Sequence, residues 1–371
     1  MAFSSEINSE TRVPVGDRVG GGDRVGGGDR VGGGDRVGGG GPIGGATTAI
    51  AIPEPSGWGV VPKPHHLTVG LIDTGIVLMR DLRDDPKPVP QHPWFDDRVL
   101  VDRYGESDPL DTDLDGTLDA TDGHGTFVAG RILVEAPAAR VRSLRVIDIG
   151  LGGDAAVADA IRLLLLEDIK LINMSFAGAS DEDAPPRQLQ LALAEAHKAG
   201  AVVVCAAGNF GDARPRWPGA FEHVVTVGAL DETTPRTEEE SPPIAEFSSR
   251  GRWVNAYAGG VRVDGPYCWF TESVAGAQAL GRPAQDFHGW AQWRGSSFAA
   301  ATVTGCIARE MSPTDANPDG LSATAAAERV LAPTEPWIID PWSGDGVPRP
   351  WIRSRFTNAV VGDGPRPSGD R

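Results

Sequence analysis

The chain reads as an α/β domain built on a mostly parallel sheet, and three observations lead there. Apolar, partly β-branched runs recur at Leu67–Ile72, Val141–Ile147, Leu171–Phe176, Ala201–Ala207 and Val224–Leu230. They lack the polar alternation of a half-solvated strand, as expected of strands buried on both faces. Helical patterns lie between them at Ala155–Glu167 and Gln188–Ala199, the second closed by Gly200. Polar residues, Asp73, Ser175 and Asn209, fall at the carboxyl ends of the runs. That is where open parallel sheets gather ligand chemistry.

The length of 371 residues, 40% of them hydrophobic, allows a sizeable core. Acidic residues outnumber basic ones by 51 to 34, a formal charge of −17. Nucleic acid and anionic membrane both call for basic surface, so neither is expected as a partner. Every apolar run falls short of the roughly 18 residues of a membrane span. Cys205, Cys268 and Cys306 are odd in number and far apart, which suits neither a disulfide framework nor a metal cluster. Cys205 and Cys306 lie in apolar runs and read as small core residues. Met1–Glu10 lacks the basic and apolar regions of a secretory signal, and with the cysteines this points to a cytoplasmic location.

Residues 17–40 hold four copies of Asp-Arg-Val-Gly-Gly-Gly. Valines spaced by glycines cannot offset the backbone entropy of ordering them. Residues 1–50 are therefore expected to be a disordered, Gly-rich tail. The folded domain is expected over 51–333, with its first packed residues near Trp58. Residues 231–243, charged and proline-rich, read as a surface loop. Residues 258–293, without clear periodicity, read as a long irregular connection. Residues 334–371 form an extension whose Trp337, Trp342 and Trp351 suggest partial packing, with a frayed end from 362.

Chemistry enters with Gly295-Ser296-Ser297, followed by the small and apolar run Phe298–Ile307. Such a run suits a helix buried on nearly all sides. The first turn of a helix has unpaired N–H groups and the positive end of the dipole, which suits an anion formed during a reaction. Alone, Ser296 or Ser297 would be an N-cap. Asp73 ends a buried strand in Ile72-Asp73-Thr74-Gly75, and His124 opens a helix between Gly123 and Gly125. Alone, Asp73 and Asn209 would be turn residues and His124 a surface histidine. Together, serine, histidine and aspartate supply a nucleophile, a general base and a group that orients the base.

In that chain order, Asp then His then Ser, the segments resemble the motifs of the subtilisin-like serine peptidases, the subtilases of peptidase family S8. Ile72-Asp73-Thr74-Gly75 resembles the aspartate motif, Gly123-His124-Gly125-Thr126 the histidine motif, and Gly295-Ser296-Ser297-Phe298-Ala299 the serine motif, with Ser297 in the nucleophile's place. Ala206-Ala207-Gly208-Asn209 resembles the segment of the oxyanion-hole asparagine, and Phe247-Ser248-Ser249-Arg250-Gly251 a further signature. The resemblance runs from about residue 67 to 310. It implies a three-layer subtilisin-like fold, a mostly parallel central sheet flanked by helices. It also implies a serine endopeptidase that works through an acyl-enzyme on protein or peptide substrates. Ser297 would be the nucleophile, His124 the general base, Asp73 its orienter and Asn209 the oxyanion donor, with no cofactor required. Substrate would lie extended along Ser175, Phe176, Ala177 and Gly178, with an S1 pocket walled by that segment and by Ala206, Ala207 and Gly208.

Four positions depart from the family pattern. Ser296 replaces the usual Thr, Ala301 the usual Pro, and Phe127 a frequent His, while Ala177 stands where a glycine is common. The Gly-rich region before Trp58 does not suit a folded inhibitory propeptide. Two other functions remain open at this point: a binding protein that keeps the fold without turnover, and an acyl-transfer enzyme on a non-peptide substrate. The four intact residues argue against the first.

Asp111, Asp113 and Asp115, then Gly116, Asp119 and Asp122, follow the ligand spacing of a calcium loop. The plainer alternative is a solvated acidic loop with Asp122 capping the His124 helix. No helix signal precedes Asp111, so an EF-hand is not expected. Any calcium here would be structural.

Overall fold

The computed structural model describes residues 48–49, 67–79, 90–101, 107–119, 121–146, 153–180, 183–237, 239–313, 317–332 and 335–354. In chain order its strands are β1 (Thr48–Ala49), β2 (Thr68–Asp73), β3 (Val99–Leu100), β4 (Arg140–Arg145), β5 (Leu171–Met174), β6 (Val202–Ala206), β7 (Val224–Leu230), β8 (Ala256–Gly259), β9 (Val263–Thr271), β10 (Asp286–Trp293) and β11 (Trp351–Ile352). The helices are α1 (His124–Glu135), α2 (Asp154–Leu166), α3 (Arg187–Lys198), α4 (Val274–Ala279), α5 (Ser296–Met311) and α6 (Ala323–Val330).

Eight strands form one sheet in the order β11-β8-β7-β6-β5-β2-β4-β3. Every neighbouring pair in it is parallel. Successive side chains of a strand point to opposite faces, and here both faces are covered. Along β6, Val202, Val204 and Ala206 enter the cluster with α1, α5 and α6, while Val203 and Cys205 enter the cluster with α2 and α3. Leu71 and Ile72 divide in the same way, as do Leu171 and Ile172. That is why each run is apolar throughout. The result is three layers, helix on sheet on helix, as the resemblance implies.

Helix α5 is buried from Ser296 to Ala308. It lies directly on α1, and Gly305 permits this: a Cβ there would come within 2.6 Å of the Ile132 carbonyl oxygen. Cys205, Cys268 and Cys306 are free and buried. Burial pushes their thiols up, that of Cys306 to about 12. Among the described residues no helix is long and apolar enough to cross a membrane.

The region 258–293 departs from the expected irregular connection. It contains the end of β8, the hairpin of β9 and β10, and helix α4. Strand β10 pairs antiparallel with both β9 and β1 in a second, three-stranded sheet. Phe287, Gly289, Ala291 and Trp293 face inward, while Asp286 and His288 are exposed and Trp290 and Gln292 half-buried. This is a period of two, but its outer face carries a Trp and its inner face a Gly, so hydrophobicity does not reveal it. A register shift between His288 and Trp290 breaks the pattern further.

The C-terminal extension packs through residue 354. Strand β11 adds to the edge of the main sheet beside β8, and Ile338 and Trp351 join a satellite core with Ala207, Leu230, Val254 and Tyr257. Trp351 is buried, Trp337 half-buried and Trp342 exposed. The Gly-rich repeats, Trp58 and residues 355–371 lie outside the described residues.

Candidate active site

Asp73 is wholly buried at the carboxyl end of β2. Across from it α1 begins, entered through Gly123 at φ 72°. The first turn of α1 approaches β2 so closely that a Cβ on Gly125 would lie 2.2 Å from the Gly75 carbonyl oxygen. Glycine on both sides of His124 is therefore a steric requirement. His124 Nδ1 lies 2.7 Å from Asp73 Oδ1. An ionised carboxylate only accepts, so Nδ1 carries the hydrogen and Nε2 is left with the basic lone pair. The Thr74 backbone N–H donates to the same Oδ1 at 2.7 Å.

The imidazole is walled by aromatic rings. Trp293 meets it edge-on at 5.7 Å, and Phe298, from the first turn of α5, lies tilted at 5.7 Å. Phe127 packs on both, and Tyr267 packs on Phe127 and Trp293. Phe127 thus joins an apolar wall, which suits its departure from histidine. Trp293 and Tyr267 come from the β9–β10 hairpin, which the sequence left without structure.

Ser297 is buried, and its hydroxyl donates to the Ser175 carbonyl at 3.0 Å. The Ser175 hydroxyl in turn donates to the Ser297 carbonyl at 2.9 Å and accepts from Asn173 Nδ2 at 2.8 Å. Thr304 Oγ1, on α5, donates to Asn173 Oδ1 at 2.8 Å. This buried chain ties β5 to α5. Asn173 and Thr304 are polar residues inside apolar runs, the only trace this chain leaves in the sequence.

Asn209 Oδ1 accepts the Ser296 backbone N–H at 2.9 Å, and Ser296 Oγ accepts the Gly208 N–H at 3.0 Å. With its oxygen so engaged, the Asn209 amide presents its NH₂ on the opposite side. Ser296 thus clamps the Asn209 segment onto the start of α5, and its role is more than that of a neighbour to Ser297.

Asp108 was not foreseen. It is buried between β2 and α1, where its Oδ2 accepts the Thr74 hydroxyl at 2.6 Å and the Gly123 N–H at 3.0 Å. The same Thr74 oxygen accepts the Gly125 N–H at 3.0 Å. Burial above all, then the charge of Asp122, pushes the Asp108 carboxyl well above the usual range, and Asp73 adds to the effect. No local pattern marks this residue, because its partners are distant in sequence.

The expected substrate segments face each other: a Cβ on Gly208 would lie 3.0 Å from the Ala177 methyl. Two details bear on how they could bind substrate. Gly178 exchanges both main-chain hydrogen bonds with Trp217, at 2.8 and 2.9 Å, so its N–H is already engaged and does not donate to a substrate strand in this arrangement. Ala206 and Ala207 send their methyl groups into the main and satellite cores, so only their main chains can wall a pocket. Ser175, Phe176 and Ala177 are all buried.

In the acidic loop, Asp111, Asp113 and Asp115 each offer an oxygen within 4.8 Å of the others. Asp119 and Asp122 do not join this cluster. Asp122 Oδ2 accepts the Asp111 and Asp119 N–H groups, and Asp119 Oδ2 accepts that of Thr112, each at 2.8 Å. They close the loop on itself because backbone donors reach them first.

A buried aspartate–histidine pair, a serine at a helix start and an asparagine amide beside it define the constellation of a serine hydrolase on an α/β sheet. The chain belongs to the subtilase family: the family model, peptidase S8, matches residues 65–331. It is similar to a thermophilic serine proteinase of Bacillus sp. strain AK1, 30% identical over 222 residues, covering 56% of this chain and 47% of that protein. It is also similar to the major intracellular serine protease of Bacillus subtilis strain 168, 25% identical over 228 residues, covering 57% and 63% respectively. The chain thus spans about half the length of the first of these relatives. Among solved structures, a lanthipeptide protease shares the fold with a TM-score of 0.56 at 22% identity, covering 77% of this chain and 86% of its own. Fervidolysin from Fervidobacterium pennivorans shares it with a TM-score of 0.54 at 20% identity, covering 78% and 41%.

Proposed function

We propose that the protein is a serine endopeptidase that hydrolyses peptide bonds through an acyl-enzyme on Ser297. The observation that carries this reading is the buried 2.7 Å pairing of His124 Nδ1 with Asp73, beside the start of α5. Asp73 holds the imidazole in the tautomer whose Nε2 can take a proton, and stabilises the imidazolium that forms. In the resting arrangement the Ser297 hydroxyl donates to the Ser175 carbonyl; the attack requires it to give that bond up for one to His124. As Oγ attacks the scissile carbonyl carbon, its proton passes to Nε2 and negative charge builds on the carbonyl oxygen. The Asn209 NH₂ and the Ser297 backbone N–H donate to that oxygen. The imidazolium then protonates the leaving amine as the C–N bond breaks. Water, deprotonated by the same Nε2, attacks the acyl-enzyme, and the tetrahedral adduct collapses by breaking the ester bond, returning the proton from Nε2 to Ser297 Oγ and releasing the carboxylic acid product.

The steps call on protein groups and a substrate water, with no cofactor. Calcium enters the proposal only as a structural ion held by Asp111, Asp113 and Asp115.

The test is labelling with a fluorophosphonate probe. The full chain should label, and Ser297→Ala should not, while Ser296→Ala keeps a measurable rate. Labelling that survives Ser297→Ala but is lost in Ser296→Ala would move the nucleophile by one position. A full chain that never labels would favour the binding protein without turnover.

A further inference from the structure

The family match ends at residue 331, yet the segment beyond it grips the oxyanion side of the site. We infer that the C-terminal extension, through Asp340, positions Asn209 for catalysis. The inference rests on the peptidase reading above.

The coupling runs through successive layers of backbone. The innermost is the Asn209 segment. The next is Phe247–Gly251, which holds it at several points. Ser249 N–H donates to the Gly208 carbonyl at 2.8 Å, and Gly211 N–H donates to the Phe247 carbonyl at 2.8 Å. Arg250 N–H donates to the Asp212 carbonyl at 2.9 Å, and Ser249 Oγ accepts the Phe210 N–H at 3.3 Å. Asn209 is thus bracketed by bonds to one short segment.

The outer layer is the extension. Asp340 is only 2% exposed. Its Oδ2 accepts the Gly251 N–H at 2.8 Å and the Tyr257 hydroxyl at 3.2 Å, and its Oδ1 accepts the Trp342 N–H at 2.9 Å. Gly251 sits at φ 140°, a conformation that L side chains rarely adopt. Asp340 fixes its amide there. Arg349 adds a second hold, donating from Nε to the Val254 carbonyl at 2.7 Å and from Nη2 to the Arg252 carbonyl at 3.3 Å. The Arg250 guanidinium lies over the Trp342 ring at 4.4 Å. Ala207, two residues before Asn209, packs in the satellite core with Ile338 and Trp351. Hydrogen bonds and apolar contact thus converge on the same loop from outside the family region.

An oxyanion donor works only if it is held where charge develops, so loosening this scaffold should cost transition-state stabilisation and spare substrate binding. The experiment is a double-mutant cycle in the full chain with Asn209→Ala and Asp340→Ala. It measures kcat and KM on the best substrate of a peptide p-nitroanilide panel, and the rate of fluorophosphonate labelling. Asp340→Ala alone should lower kcat about 10-fold with KM unchanged, a part of the 10²–10³-fold that loss of the donor itself costs. On the Asn209→Ala background the same change should cost less than about 2-fold. Asp340→Asn keeps an acceptor for Gly251 and should restore most of kcat. Asp340→Ser enters the same cycle if the alanine variant does not fold. Equal losses on both backgrounds, or a rise in KM at constant kcat, overturn the inference and leave the peptidase reading intact. No Ser297-dependent reaction in the unmodified chain would remove both.

Discussion

Two groups of aspartates precede or border the His124 helix, and their surroundings are opposite. Asp73 and Asp108 are buried, and each has side-chain or backbone partners from segments far away in sequence: His124 for one, Thr74 and Gly123 for the other. Asp111, Asp113 and Asp115 lie in a loop at or near the surface, and they accept hydrogen bonds from N–H groups of the loop and, at Asp115, from the Thr117 hydroxyl. Both groups read as functional motifs in the sequence. What separates them is desolvation. A carboxylate away from water interacts strongly with whatever the fold brings to it, whereas an exposed one has water as a competitor at every bond.

The sharpest break in that comparison is Asp73→Asn. The amide keeps the shape but can donate to His124 Nδ1 and so favours the wrong tautomer. Loss of about 10⁴ in kcat is expected, a magnitude borrowed from the corresponding change in a serine protease of another fold. Steady-state rates beside unchanged melting would establish it. A loss below about 10-fold would mean that His124 is oriented by something other than Asp73.

How far each group could be foreseen follows from the same contrast. Asp73, His124, Asn209 and Ser297 were legible because each stands in a short stretch whose neighbours are dictated by local geometry. Gly123 and Gly125 flank His124 for steric reasons, and the apolar run before Asp73 records burial on both sheet faces. Asp108 has no such local imprint, since its partners are brought to it by tertiary packing. The β9–β10 hairpin escaped for a related reason: Trp290 on the outer face and Gly289 on the inner one reverse the hydrophobic signal at two adjacent positions. The extension was visible only as tryptophans, and of these Trp351 is buried while Trp342 is exposed.

Asp108 offers the next test, with a smaller effect. It touches neither Ser297 nor the His124 ring in the contacts described above, but holds the two backbone segments that carry Asp73 and His124. Asp108→Ala should lower kcat about 10–100-fold, in line with a misplacement of less than an ångström to an ångström. Asp108→Asn, which keeps an acceptor for Thr74 and Gly123, should recover most of it. The same residue has a pH signature. Its folded carboxyl titrates well above its unfolded value, so above about pH 4 the folded state holds more protons than the unfolded one. Stability conferred by the protonated form is present at low pH and is lost as pH rises toward the raised folded value. Melting curves from pH 4 upward should show this slope in the unmodified chain and a weaker one in Asp108→Asn. Identical slopes would place Asp108 among ordinary carboxylates and weaken the contrast with the loop.

The loop itself should respond least in activity and most to metal. Asp113→Asn removes one exposed carboxylate and should change stability by no more than about 0.5 kcal/mol in the presence of EDTA, as surface substitutions usually do. Activity per folded molecule should be unchanged, since no loop carboxylate reaches Ser297, His124 or Asn209. If Asp111, Asp113 and Asp115 hold calcium in the folded state alone, saturating ion stabilises by mass action, about 2.7 kcal/mol at a hundred times the dissociation constant. Melting of the unmodified chain should then shift upward between EDTA and calcium, and the shift should shrink in Asp113→Asn. Equal melting temperatures in both solutions would leave the loop as a self-bonded turn. The two groups of aspartates would then differ in kind as well as in degree: one group with work set by buried partners, the other bonded to donors of its own loop.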